Sequence, residues 1–186
     1  MTRAAIIIDN RPGLESVIEA HEKFIPKDWL VYQITNEQTN TVLEYNKLLT
    51  SKRFWRNMPD KVLIFQHDSM LLREGVDEFL EWDYVGAPWK FQEFGGNGGL
   101  SLRDSKAMLK VINQYPEWDM SFGNEDVYFS NALHQLGTNI APREVCKKFS
   151  VESIFELGTV GYHQIDTYLS ATECKIIKEQ YNNWKL

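Results

Sequence analysis

A run of four consecutive apolar residues, Val62-Leu63-Ile64-Phe65, opened by Lys61 and closed by Gln66-His67-Asp68-Ser69, constrains this chain more than any other stretch. A strand with one wet face alternates apolar and polar residues. An unbroken apolar run needs cover on both faces, which is the condition of a strand inside a parallel α/β sheet. Ligands of open α/β sheets bind beyond the carboxyl ends of the strands, so Asp68 falls where chemistry is expected. Alone, Asp68 reads better as a cap for the turn that follows, with Ser69 assisting. Only partners elsewhere in the chain reverse that preference.

The remaining pattern places this strand in an α/β domain. Ala4 to Ile8 is a short buried strand ending in the turn Asp9-Asn10-Arg11-Pro12-Gly13. Leu14, Val17, Ile18, His21, Phe24 and Ile25 recur at helical spacing before Pro26, and Trp29 to Ile34 forms a second strand. Right-handed crossover lays these two strands parallel. A polar loop from Asn36 to Asn40 precedes a broken helical stretch from Thr41 to Met58, and a short helix is expected from Gly75 to Trp82. Tyr84 to Ala87 and Leu100 to Arg103 read as strands, with Asp104 capping a helix that carries Ala107, Met108, Val111 and Ile112. Another helix opens at Gly123-Asn124-Glu125-Asp126, turns Phe129, Ala132, Leu133 and Leu136 inward and stops at Gly137. Short strands are expected from Asn139 to Pro142 and from Phe149 to Val151, and Gly158 to His163 reads as a loop or edge segment. Ser170-Ala171-Thr172-Glu173 is a capping box that opens a terminal helix to about Trp184. There is no internal repeat, low-complexity tract or linker, so 1–186 reads as a single domain, whole or as one module of a longer polypeptide.

Composition narrows the class. With 43% hydrophobic and 13% aromatic residues the chain has material for a core. A net charge of −6 without a cluster of Lys or Arg disfavours nucleic acid as a partner. Two cysteines, Cys146 and Cys174, are too few for a disulfide framework or a structural zinc site. The apolar run from Ala4 ends at Asp9, well short of a signal sequence or membrane span. These features together predict a soluble protein of a reducing compartment, the cytoplasm, without a transmembrane segment.

Several groups could carry chemistry. Four of the five residues Gly95-Gly96-Asn97-Gly98-Gly99 are glycine, which lets backbone N–H groups approach a ligand closely. The spacing does not match a dinucleotide fingerprint, and a plain hairpin turn competes as an explanation. Trp89, Phe91 and Phe94 flank this loop and would suit sugar stacking. Glu125 and Asp126 open a helix, where the macrodipole stabilises carboxylates whatever their function. Adjacent helical residues point about 100° apart, so one can act as general base while its neighbour orients or supports. His163 lacks an amphipathic period that would bury it and could join Asp68 as a nitrogen ligand to a divalent ion. His67 is expected to point away from Asp68. A nucleotidyltransferase would need a glycine-rich phosphate loop after the first strand, where this chain has Asp9-Asn10-Arg11-Pro12.

In order and spacing, Phe65-Gln66-His67-Asp68-Ser69, Gly96 to Arg103, Asn124-Glu125-Asp126-Val127 and Gly161-Tyr162-His163 resemble the GT-A glycosyltransferases. The chain is most similar to a little-characterised family of short GT-A-like proteins, and more distantly to the beta-1,3-galactosyltransferase type, over Ile6 to His163. The resemblance implies one GT-A-like (Rossmann-like) domain with a mixed, mostly parallel central sheet flanked by helices. It implies a hexosyltransferase-like enzyme that moves a sugar from a nucleoside diphosphate sugar, foremost a UDP-sugar, to a hydroxyl of a glycan or glycoconjugate acceptor, with inversion. Asp68 falls at the last acidic position of the family's DxD metal motif and His163 at its C-terminal metal-binding histidine, the ion being Mn²⁺ or Mg²⁺. Asn97, Gly98 and Gly99 fall in the family's glycine loop near donor and acceptor. Asp126 falls at the base of inverting members, with Glu125 beside it, and Asn10 and Arg11 fall where the nucleotide base is held. Gln66 stands at the first DxD position, on the donor side. A missing carboxylate there weakens metal affinity and leaves the ion to arrive with the sugar nucleotide. The competing expectation is a non-catalytic carbohydrate-binding or scaffolding module on a degenerate transferase fold.

Overall fold

The structure is a computed structural model that describes residues 1–35, 37 and 39–183. Asn36 and Gln38 of the expected polar loop, and the expected helix end at Trp184, lie outside the described residues. The strands are β1 (Arg3–Ile8), β2 (Leu30–Ile34), β3 (Lys61–Phe65), β4 (Ser69–Leu71), β5 (Tyr84–Ala87), β6 (Asn97–Asp104), β7 (Ser150–Val151) and β8 (Gly161–His163). The helices are α1 (Glu15–Glu22), α2 (Val42–Leu49), α3 (Lys52–Arg56), α4 (Ser105–Gln114), α5 (Glu125–Gln135), α6 (Arg143–Phe149), α7 (Ile165–Tyr168) and α8 (Ala171–Asn183). A five-stranded sheet has the order β2-β1-β3-β6-β5, and a three-stranded sheet has the order β4-β8-β7. In the larger sheet β1 pairs in parallel with β2 and β3, while β6 runs antiparallel to both β3 and β5. The sheet is therefore mixed and mostly parallel, β6 running against the other strands, with helices on both faces.

Two-sided cover explains the consecutive apolar residues. Ala4, Ile6, Ile8, Val62 and Ile64 face a core filled by Leu49, Trp55, Met108 and Phe129 from α2 to α5. Ala5, Ile7, Leu63 and Phe65 face the opposite core, with Leu14, Val76, Phe79, Cys146 and Phe149. Trp55 is 1% exposed and meets Phe129 edge-on, and burial of a side chain that large contributes about 3 kcal/mol. Local signals set the helix starts. Thr41 and Glu44 form a capping box on α2, Asp104 accepts from the Ala107 N–H at 2.9 Å, and Ser170 with Glu173 caps α8. Both cysteines are buried free thiols, and among the described residues no helix is long and apolar enough to cross a membrane.

Several short segments differ from the sequence expectation. The stretch from Gly75 to Trp82 holds only a 3₁₀ turn at Val76–Phe79, and that from Asn139 to Pro142 makes isolated bridges through Ile140 and Pro142. Phe149 ends α6, so only Ser150 and Val151 remain as strand. Gly161–His163 is the middle strand of the smaller sheet, not an edge. These segments are too short for periodicity to register, and tertiary pairing decides them.

The topology gathers one edge. β2 and β3 lie on opposite sides of β1, which makes the carboxyl ends of β1 and β3 a switch point. Because β6 is antiparallel, it begins at that same edge, where the Gln66 N–H donates to the Gly99 carbonyl at 2.9 Å. Ser69 pairs with His163, so the smaller sheet abuts the end of β3.

His21 lies behind that edge, fully buried, stacked on Phe65 at 4.2 Å and donating from Nδ1 to the Val17 carbonyl at 2.8 Å. Burial pushes its pKa down to about 4 against a weaker upward pull from Val17. The unfolded chain therefore takes up a proton below about pH 6.5 that the folded chain refuses until about pH 4. Stability attributable to His21 is full above that window and falls by roughly 3 kcal/mol as pH drops through it. Urea unfolding of wild type and His21→Gln between pH 4 and 7 checks this, since the difference between the two should change along that slope.

Candidate active site

A cleft of about 840 Å³ opens at the gathered edge. Asn10 and Arg11 line it from the end of β1, Gln66, His67 and Asp68 from the end of β3, and Asn97, Gly98 and Gly99 from the start of β6. Glu125 and Asp126 enter from the N-terminus of α5, and His163 from the end of β8. Segments remote in sequence thus meet in one cavity.

His163 is 3% exposed and stands between two carboxylates. Its Nδ1 lies 3.0 Å from Glu152 Oε1, and its Nε2 lies 3.1 Å from Gln66 Oε1 and 3.3 Å from Asp68 Oδ1. Burial lowers its pKa, but Asp68 and Glu152 outweigh that and raise it to about 9. For Asp68, burial raises the pKa, but His163 and Gln164 outweigh it and hold the carboxyl well below its ordinary range. Gln164 donates to Asp68 Oδ2 at 2.7 Å, and its backbone N–H donates to the Asp68 carbonyl at 3.1 Å. Gln164 has φ +47°, the left-handed region that a non-glycine residue enters only when its surroundings hold it. His67 also faces the cleft, with Nδ1 3.9 Å from Asp68 Oδ1, contrary to the expectation that it points away.

The chemistry of these donors suits a divalent ion in part. Asp68 Oδ1 is buried without a well-formed hydrogen bond, close to His163 Nε2. One carboxylate oxygen and one imidazole nitrogen make a partial ligand set for Mn²⁺, and a poorer one for Mg²⁺, which prefers oxygen. Among the described residues no three His, Cys, Asp or Glu side chains converge as ligands.

Gly98 and Gly99 line the cleft and are closely packed there. The Gly98 N–H donates to Asp126 Oδ2 at 3.0 Å and the Gly99 N–H to Asn97 Oδ1 at 2.7 Å, so both amides are engaged. A Cβ at Gly98 would strike Arg103 and Glu125, and one at Gly99 would strike the His163 ring. Close packing by itself requires glycine at both positions. Trp89, Phe91 and Phe94 are not part of the cleft lining: Trp89 stacks with Phe91 at 5.2 Å, and Phe94 stacks on His134 at 3.8 Å.

The neighbouring carboxylates of α5 have separate surroundings. Glu125 pairs with the fully buried Arg103, whose Nη2 donates to Oε1 at 2.9 Å, while Arg103 Nε donates to Ser101 Oγ at 2.9 Å. Asp126 accepts from Gly98 and, at 2.8 Å, from the Val127 N–H. Burial and then the charge of Glu125 raise its pKa to about 6, against the lowering effects of Gly98 and Arg103. At the rim, Asn10 Nδ2 donates to the Glu37 carbonyl at 2.7 Å and Arg11 pairs with Asp9. Sequence patterning did not single out Tyr45, Gln164 or Glu152. Tyr45 lines the cleft with a buried hydroxyl, but its helical spacing carries no functional signal.

The fold is shared with a glycosyltransferase described as involved in the glycosylation of the major capsid of PBCV-1. That structure has a TM-score of 0.52 and 9% identity, with 98% of this chain and 100% of that one covered. The glycosyltransferase GlyE from Streptococcus pneumoniae TIGR4 matches with a TM-score of 0.47, 12% identity and coverage of 99% and 63%. A197 from STIV matches with a TM-score of 0.43, 16% identity and coverage of 77% and 80%. The family model "Protein of unknown function (DUF5672)" matches residues 28–165, and the chain belongs to that family. No curated protein matches the chain significantly.

Removing one partner of the Arg103–Glu125 pair leaves a buried charge uncompensated. Glu125→Leu or Arg103→Leu alone should cost roughly 3 to 5 kcal/mol, and the double substitution should recover much of that loss. Chemical denaturation of the three variants checks the coupling.

Proposed function

We propose that the protein is a glycosyltransferase that moves a sugar from a nucleoside diphosphate sugar, foremost a UDP-sugar, to a hydroxyl of a glycan or glycoconjugate, with inversion. The observation that carries this reading is the convergence of Asp68, His163 and Asp126 on one cleft at the strand ends. The fold likeness to a glycosyltransferase supports it.

In this reading Asp68 and His163 hold Mn²⁺ or Mg²⁺, which when bound supplies positive charge to the diphosphate and to the leaving group. Asn10 and Arg11 hold the nucleotide, and Gln66 and the Asn97-Gly98-Gly99 segment border the donor. Asp126 removes the proton from the acceptor hydroxyl. The hydroxyl oxygen bonds to the anomeric carbon as the bond from that carbon to the diphosphate oxygen breaks. A carboxylate with a pKa near 6 is ionised at neutral pH yet more basic than an ordinary aspartate, and its remaining lone pairs are available for that proton. Glu125, held by Arg103, supports Asp126 and raises its basicity.

Gln66 in place of an acidic residue favours the second reading, a carbohydrate-binding module without activity. Thermal-shift screening against UDP-, GDP- and dTDP-sugars with and without Mn²⁺ separates the two: sugar binding without nucleotide binding supports the second. Asp126→Asn should retain donor binding and lose transfer by about 100-fold or more, as removal of a general base does. Transfer by wild type should rise about tenfold per pH unit up to about pH 6 and then level, because Asp126 must be ionised. Asp68→Ala should abolish the Mn²⁺-dependent part of UDP affinity measured by calorimetry.

A further inference from the structure

Glu152 is 3% exposed and immediately follows β7. β7 pairs in parallel with β8, Ser150 with Gly161 and Val151 with Tyr162, so the next step of the ladder sets Glu152 beside His163. The contact is Oε1 to Nδ1 at 3.0 Å. A carboxylate oxygen accepts, so the proton of that contact lies on Nδ1, while Nε2 is turned toward Gln66 Oε1 at 3.1 Å and Asp68 Oδ1, oxygens that would equally face a cation taking the place of an Nε2 proton. Nε2 is the nitrogen on the Asp68 side, 3.3 Å from the buried Oδ1. On another side the ring lies against Gly99, where any Cβ would displace it.

We propose that Glu152 is a positioning residue that fixes the Nδ1–H tautomer and the orientation of His163, so that Nε2 is presented to a divalent ion alongside Asp68. Glu152 lies behind the ring and is not itself a ligand. This inference rests on the metal reading above. Partners of this kind, placed behind a ligating histidine, are worth about 10- to 100-fold in metal affinity.

The test uses the full chain with Mn²⁺ and UDP. Wild type, Glu152→Gln and Glu152→Leu are compared for Mn²⁺ affinity by electron paramagnetic resonance, with near-ultraviolet circular dichroism reporting the fold. Glu152→Gln keeps an acceptor for Nδ1–H and should stay near wild type, whereas Glu152→Leu should lose about 10- to 100-fold. Nitrogen-15 spectra of wild type loaded with diamagnetic Cd²⁺ and UDP should show the His163 proton on Nδ1, a readout that needs no variant to fold. A folded Glu152→Leu with wild-type Mn²⁺ affinity would overturn the inference while leaving the metal reading intact, whereas a proton on Nε2 in the loaded protein would overturn both. Absence of Mn²⁺ binding by wild type would overturn both.

Discussion

The buried pair between Arg103 and Glu125 ties the site together. Arg103 occupies a core-facing position of β6, opposite Val62 and beside Tyr84, where an apolar residue would ordinarily sit. A charge there is tolerated only with a partner, and Glu125 at the first turn of α5 is that partner. Joining the two fixes the N-terminus of α5 against the start of β6. Asp126, the next residue, is thereby held within hydrogen-bond reach of Gly98. The adjacent negative charge also contributes to the raised pKa of Asp126.

A second set of contacts organises the other half of the cleft. His163 is flanked by Glu152 and Asp68, and Asp68 is gripped by Gln164 through both its side chain and its backbone. The imidazole occupies space left by Gly99. The glycine-rich segment therefore serves both halves: Gly98 admits the acidic turn of α5, and Gly99 admits the imidazole. Each is a consequence of packing between distant elements.

Much of the frame was legible in advance. Two-sided apolar runs identified β1 and β3, helical spacing identified α1 and α4, and the caps at Asp104 and Ser170 mark helix starts. Asp68, Asp126 and His163 stood out as candidates and lie on one cleft. Trp89, Phe91 and Phe94 neighbour the glycine loop in sequence yet fall outside that cleft, because adjacency along the chain does not fix the side on which a ring packs. The short segments β8 and α6 also escaped, being smaller than the period needed to recognise them.

Sequence by itself determined the elements whose cause is local: apolar periodicity, capping side chains, and chain-breaking Pro and Gly act within a few residues. Tertiary structure alone decided that Arg103 pairs with Glu125, that Glu152 backs His163, and that Gln164 restrains Asp68. Those contacts join strands and helices far apart along the chain, and a hydrogen bond depends on distance and direction in space, which no local pattern encodes.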